Sequence, residues 1–312
     1  MRILLATDFS TYADTARSLV NSLTLAEGSR IRVVHAIEPI STVAMFASSA
    51  LLTINDAAER EAKDLVKKTA ALLRAPGREV DGVVGLGRAA DVVIDECADF
   101  KPDLLIVGSR GRGGFATAVL GSVSAELVDR SKCPVLVART NRLATIVLAE
   151  DGSANAAVGA GVVADIPALS SCAVRVVSVV DTAFPVVLAD PAIPATALDA
   201  FRAYEESLPI LRASHAAFAR ERAEALSRLG IHATAEQREG DAATQLIAAA
   251  AEQHADCIVI GSRGQTGVRR LMLGSVARSV LFHAPCSVLI AHAKPIDERR
   301  STHAPEHLAL RA

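Results

Sequence analysis

Short apolar runs alternate with helix-like stretches along this chain. Arg2–Thr7 (RILLAT), Ile31–Ile37 (IRVVHAI), Glu79–Val84 (EVDGVV), Leu104–Val107 (LLIV) and Val135–Ala138 (VLVA) read as strands. Runs this short, with no helical period, suit strands covered on both faces. Thr11–Ala26, Asp56–Leu73, Ala89–Ala98 and Val123–Asp129 read as helices between them, and Asp8 or Ser10 can cap the first. Pro39–Thr53 reads as a loop. The pattern then restarts. Ala144–Ala149, Val174–Val180, Cys257–Gly261 and Val288–Ala291 are strand-like. Asp199–Leu229, Ala242–Gln253 and Val276–Phe282 are helix-like, with Pro209 a candidate break.

Alternating strands and helices predict a parallel sheet with helices on both faces. The expected fold class is α/β, as two tandem doubly wound, five-stranded parallel-sheet domains over 1–142 and 143–294. A mobile polar tail is expected over 295–312. Asp8 aligns with Asp151, and Ala36 with Val179, at an offset of 143 (151 − 8). By Gly87 and Gly240 the offset is 153 (240 − 87), so ten residues (153 − 143) have entered between Val180 and Gly240. The expected place is Asp181–Leu198, whose prolines exclude a regular helix.

The strongest repeat follows the fourth strand. Gly108, Gly111, Gly121 and Ser122 in GSRGRGGFATAVLGSVS align with Gly261, Gly264, Gly274 and Ser275 in GSRGQTGVRRLMLGSVA, at an offset of 153 (261 − 108). Glycine permits left-handed turns and close backbone approach. Successive N–H groups in such turns form an anion-binding nest. Gly-Ser opening a helix adds unpaired N–H donors and the positive end of the helix dipole. Strand, glycine loop and helix start together make a candidate phosphate cradle. One copy could be a simple turn; two copies with identical spacing favour the cradle. Asp8 and Asp151, at the carboxyl ends of first strands, can accept hydrogen bonds from ribose hydroxyls or cap a helix. Two rival motifs fail. Gly85-Leu-Gly87-Arg-Ala-Ala90 precedes the fourth strand, and Glu239 replaces its first glycine in the second half. Neither glycine stretch carries the lysine of a Walker A loop.

These residues resemble the ATP-binding signature of the universal stress protein family: G-x-x-G, nine residues, then G-[S/T]. The resemblance runs from Arg2 to about Ala293. It implies adenine nucleotide alpha hydrolase-like, Rossmann-like domains that pair through their fifth strands as an intramolecular pseudo-dimer. It implies ATP in each half with Mg²⁺ on the phosphates, Asp8 and Asp151 at the nucleoside, and the backbone of Ala36 and Val179 against adenine. Gly108, Gly111, Gly121, Ser122, Val123 and Ser124 complete the first implied site. Gly261, Gly264, Gly274, Ser275 and Val276 complete the second. The family's Asp-Gly-Ser is kept after the sixth strand, whereas the first half has Asp8-Phe9-Ser10. Ala277 replaces Ser124, so the second site lacks one hydroxyl expected at the phosphates. Arg110, Arg112, Arg263, Arg269 and Arg270 flank the loops and suit phosphate. Exposed loop arginine is as common, and none is counted as a contact. Asp103 and Asp256 are expected to fix strand entry.

Composition narrows the partners. With 51% hydrophobic and 22% charged residues, the chain should form a compact fold. A net charge of −2 gives no pull toward nucleic acid or anionic membranes, and 3% aromatic residues leave few platforms for stacking bases. No apolar run approaches the roughly 20 residues of a membrane span. Asp8 interrupts the N-terminus too early for a signal peptide. Cys97, Cys133, Cys172, Cys257 and Cys286 form no C-x-x-C pair and read as buried thiols of a reducing cytoplasm. The histidines form no metal-binding motif. The expectation is a cytoplasmic, ATP-binding stress-response regulator rather than an enzyme, acting on protein partners as a homodimer of tandem chains. A slow ATPase and an empty pairing scaffold are the alternatives.

Overall fold

The computed structural model describes residues 1–38, 49–111, 120–182, 195–262 and 273–292. The first half runs β1 (Arg2–Ala6), α1 (Thr11–Ser22), β2 (Ser29–Ile37), α2 (Ser49–Leu73), β3 (Arg78–Leu86), α3 (Ala89–Phe100), β4 (Leu104–Gly108), α4 (Ser122–Arg130) and β5 (Val135–Ala138). The second half runs β6 (Thr145–Ala149), α5 (Ala154–Asp165), α6 (Pro167–Ser170), β7 (Ala173–Val180), α7 (Ala195–Arg228), β8 (Ala233–Glu239), α8 (Ala242–Glu252), β9 (Cys257–Gly261), α9 (Ser275–His283) and β10 (Ser287–Ala291).

All these strands join one sheet, in the order β3-β2-β1-β4-β5-β10-β9-β6-β7-β8. Pairing is parallel within each half. Successive side chains of a strand point to opposite faces, and the apolar runs feed two cores. Ile3 and Leu5 pack in one layer with Leu19 and Val66, whereas Leu4 and Ala6 pack in the other with Val93 and Leu127. The chain thus winds α1 and α2 over one face and α3 and α4 over the other. Strand order reverses between β1 and β4, and again between β6 and β9.

The halves meet at β5 and β10, which pair antiparallel with Leu136 opposite Leu289. This is the fifth-strand pseudo-dimer that the resemblance implies. Because the seam is antiparallel, the carboxyl ends of the two half-sheets point in opposite directions. Just past β5, the Arg139 guanidinium donates to the Leu281 and Cys286 carbonyls (2.6 and 3.4 Å), and its backbone N–H donates to Ser287 Oγ (3.0 Å). Leu281 lies in the last turn of α9, where a cation suits the negative end of the dipole.

Several elements depart from the sequence reading. Helix α1 stops at Ser22 rather than Ala26, and α2 begins at Ser49, inside the stretch read as a loop. Helix α7 runs unbroken through Pro209. It has 34 residues against 25 in α2, so the helix accounts for most of the added length. Within Asp181–Leu198, residues 195–198 are helical, after the last proline; 183–194 lie outside the described residues, as does the tail at 295–312. The expected role of the strand-entry acids holds. Asp103 Oδ2 accepts from Arg2 N (2.9 Å), and Asp256 Oδ2 accepts from Ala144 N and Thr145 N (2.8 and 3.2 Å).

Leu289 is fully buried at the seam. Leu289→Ala is expected to lower the unfolding free energy by about 2–5 kcal/mol, read from the shift of the urea midpoint. An unchanged midpoint would mean that the seam adds nothing to the cohesion of the fold.

Candidate functional site

Where strand order reverses, neighbouring crossovers leave on opposite faces and a crevice opens at the carboxyl ends. In the first half a cleft of about 820 Å³ lies there, walled by the ends of β1, β2 and β4 and the starts of α3 and α4. Asp8, Ala36, Gly108, Gly111, Gly121, Ser122, Val123 and Ser124 all line it. Residues from four separate stretches of chain are thus brought to one place.

The glycines are required by contact. A Cβ on Gly108 would stand 2.8 Å from the carbonyl carbon and oxygen of Tyr12, in the first turn of α1. A Cβ on Gly111 would stand 2.7 Å from Asp8 Oδ2, so the loop backbone lies against that carboxylate. A Cβ on Gly121 would come within 3.2 Å of Arg110 Cα. Any side chain at these positions would press into the walls of the cradle. The loop closes through Gly121 N donating to Ser109 O (2.8 Å), and the second half repeats this with Gly274 N and Ser262 O (2.9 Å). Gly121 and Gly274 are the N-caps of α4 and α9, and neither has a side chain to satisfy the first N–H groups. Those donors face outward from the helix start.

Asp8 Oδ1 accepts from Ser10 N (3.0 Å), while Ser10 Oγ caps α1 through Ala13 N (3.2 Å). Asp151 and Ser153 repeat the pair, with 2.9 Å to Ser153 N and 3.1 Å to Ala156 N. The serine is therefore the cap in both halves, and in the first the Asp8 carboxylate turns toward Gly111. The Ser124 hydroxyl has a partner within the protein. Buried, it donates to Gly108 O (2.7 Å), tying α4 to the end of β4. Ala277, at the matching place in α9, has no hydroxyl to make this strand-to-helix tie.

Two more residues line the cleft: Arg110, which the sequence marks as suited to phosphate without counting it as a contact, and His35, which it does not single out. Arg110 lies over the Tyr12 ring (5.3 Å) and donates to its hydroxyl (3.1 Å), which holds a cation at the cleft. His35 donates from Nδ1 to Thr7 O (2.7 Å), under the ring of Phe9 (centroids 4.5 Å apart). A carbonyl can only accept, so Nδ1 carries the proton and Nε2 is the remaining acceptor of the neutral ring. The partners of Arg110 and His35 are distant in sequence, and no local motif marks them. Gly85 of the failed motif serves packing instead: a Cβ there would run into Val92 of α3.

In the second half Gly261 closes β9 against α5 as Gly108 does against α1. A Cβ there would stand 2.5 Å from Asn155 O. Gly274, Ser275 and Val276 open α9, Asp151 follows β6, and Val179 sits near the end of β7 as Ala36 does in β2. Gly264, Arg263, Arg269 and Arg270 lie outside the described residues, as does Arg112. Among the described residues no group of three or more His, Cys, Asp or Glu could hold a metal ion, and no helix is long and apolar enough to cross a membrane.

Comparison with known proteins agrees with this geometry. The universal stress protein family model matches the chain twice, at residues 1–139 and 143–292. A universal stress protein of Thermus aquaticus is 34% identical over 139 residues, 44% of this chain and 97% of the relative. One from Mycobacterium tuberculosis is 28% identical over 200 residues, 61% of this chain and 62% of the relative. In three dimensions, a universal stress protein from Archaeoglobus fulgidus superposes with a TM-score of 0.64 at 19% identity, covering 93% of this chain and 98% of that one. With both halves matched and one fold spanning them, this chain belongs to the universal stress protein family.

Proposed function

We propose that this protein binds ATP, one molecule per half, and acts as a cytoplasmic stress-response regulator. The observation that carries the reading is the convergence of the glycine cradle, the uncapped start of α4 and the Asp8 carboxylate on one cleft. Ala6, Val34, Val93 and Val107 give that cleft an apolar wall suited to a flat base. In this reading the backbone of Ala36 meets the adenine edge and Asp8 accepts from the ribose hydroxyls. The N–H groups of Gly111, Ser122 and Val123, with the Arg110 guanidinium, take the phosphates. Mg²⁺ would ride on phosphate oxygens and water, as this ion commonly does. Asp151, Val179, Gly261, Gly264, Gly274, Ser275 and Val276 play the same parts in the second half.

Binding rather than turnover is the proposed activity. ATP filling each site would alter the surface around it. Protein partners, or a second tandem chain in a homodimer, would sense the change at the surface. The stress-response role follows from the family.

The first test is to denature the purified protein and identify any released nucleotide by chromatography and mass. One ATP per half is the expected result. Gly121→Val and Gly274→Val should each abolish one of the two, because a branched side chain fills the cradle. If no nucleotide co-purifies and calorimetry with added ATP gives no heat, nucleotide binding is wrong.

Asp8→Ala should weaken ATP at the first half about 10- to 100-fold, the usual worth of hydrogen bonds to a charged group, and should leave the second half unaltered. An equal loss in both halves would contradict the assignment. Phosphate release should stay at background in the unaltered protein; steady release that falls with Arg110→Ala would make it an ATPase instead.

A further inference from the structure

The halves differ at two aligned positions beside the aspartates. Phe9 aligns with Gly152, and His35 with Ser178, both at the offset of 143 (152 − 9 and 178 − 35). In the first half the two rings pack on each other, and His35 lines the cleft. Glycine and serine can supply neither ring, yet both ring types recur at this place in the second half. His215 and Phe218 lie on α7 with their rings edge to face, centroids 5.6 Å apart. His215 Nδ1 and Ser178 Oγ share a hydrogen bond of 2.9 Å. A Cβ on Gly152 would lie 2.7–3.0 Å from three atoms of the Phe218 ring, so that ring fills the space a side chain at 152 would enter. The turns themselves are alike, since Phe9 (φ 61°) and Gly152 (φ 77°) are both left-handed.

A third α7 residue grips the same turn. Glu150, fully buried, accepts from Gly152 N (2.9 Å) as Thr7 Oγ1 accepts from Phe9 N (3.1 Å). Its other oxygen takes Arg222 Nε at 2.5 Å. His215, Phe218 and Arg222 stand at i, i+3 and i+7, one stripe of a helix. Burial lowers the His215 pKa, and the Asp151 carboxylate works against it by favouring the charged ring.

We propose that α7 supplies the second half with the His–Phe pair that β2 and the β1–α1 turn supply to the first, and that His215 and Phe218 thereby position Asp151 for its nucleotide. The first site is built from its own turn and strand, whereas the second depends on α7. The inference rests on the nucleotide reading above, and its two tests separate the two.

The first test needs no ligand. Thermal unfolding is compared for Gly152→Phe, Phe218→Ala and the double variant. Each single change should lower the melting temperature, Phe218→Ala by about 6 °C or more. The double variant should lose clearly less than the sum, because the new ring enters the vacated space and the strain at residue 152 is common to both sides of the cycle. Additive losses would overturn the proposal.

The second test measures ATP affinity by calorimetry in a Gly121→Val background, where the remaining site is the second. His215→Ala should weaken it about tenfold or more. Ser178→His added to His215→Ala should recover most of that loss. An unchanged affinity in a folded His215→Ala protein would leave His215 without a positioning role. If the unaltered protein binds no ATP at all, the nucleotide reading fails, and the unfolding cycle alone decides whether α7 supplies the pair.

Discussion

The cleft depends on a contact between backbones. Gly108, the last residue of β4, lies against the carbonyl of Tyr12 with no room for a side chain, and Gly261 lies against Asn155 in the same way. This contact brings the first turn of the helix after the first strand next to the start of the glycine loop. The aspartate that ends the first strand then faces the loop backbone, as Asp8 faces Gly111. A methyl group at either glycine would separate the strand from the helix and open the cradle. The glycines act first as packing residues, and the exposed backbone they leave is what the proposed nucleotide site would use.

The antiparallel seam gives the molecule its second organising feature. Pairing β5 with β10 removes the edge that each half-sheet would otherwise present. Both core layers then continue from one half into the other. Arg139 stitches the first half to the end of α9, whose start carries the second cradle. Since the seam reverses strand direction, the carboxyl ends of the two half-sheets, with Asp8 beyond one and Asp151 beyond the other, point in opposite directions along one continuous sheet. The exposed edges are β3 and β8. Their charged side chains, Glu79 and Asp81 on one and Glu236 and Arg238 on the other, discourage further strand pairing.

The halves share a plan but not a construction. The first carries Phe9 and His35 within its own strand and turn. The second has Gly152 and Ser178 there, and a longer helix whose residues reach the same spot. Helix α7 is nine residues longer than α2, and it also carries the buried Arg222–Glu150 pair. A buried ion pair is costly to form, and removing one partner leaves a charge without solvent. Position 150 is therefore tied to α7 in a way that Thr7, with its own hydroxyl bond to Phe9 N, is not tied to α2.

Much of this was legible in the chain itself. Period, run length and the repeat offset determined the alternating elements, the two-half plan and the placement of Asp8, Ala36 and the glycines at strand ends, because local spacing decides which residues end a strand. Strand β8 was missed as a run, since ATAEQRE is a polar edge strand. The loop and break expected at Pro39–Thr53 and Pro209 partly gave way to helix, because tertiary packing outweighs local propensity. Only the folded structure decided what each side chain does. Ser124 spends its hydroxyl on Gly108, Arg110 rests on Tyr12, and His215 stands in for a residue in another strand. The physical reason is sequence distance. Those partners lie 16, 98 and 37 residues apart, and nothing in local spacing records a contact that exists only once the sheet has brought its strand ends together.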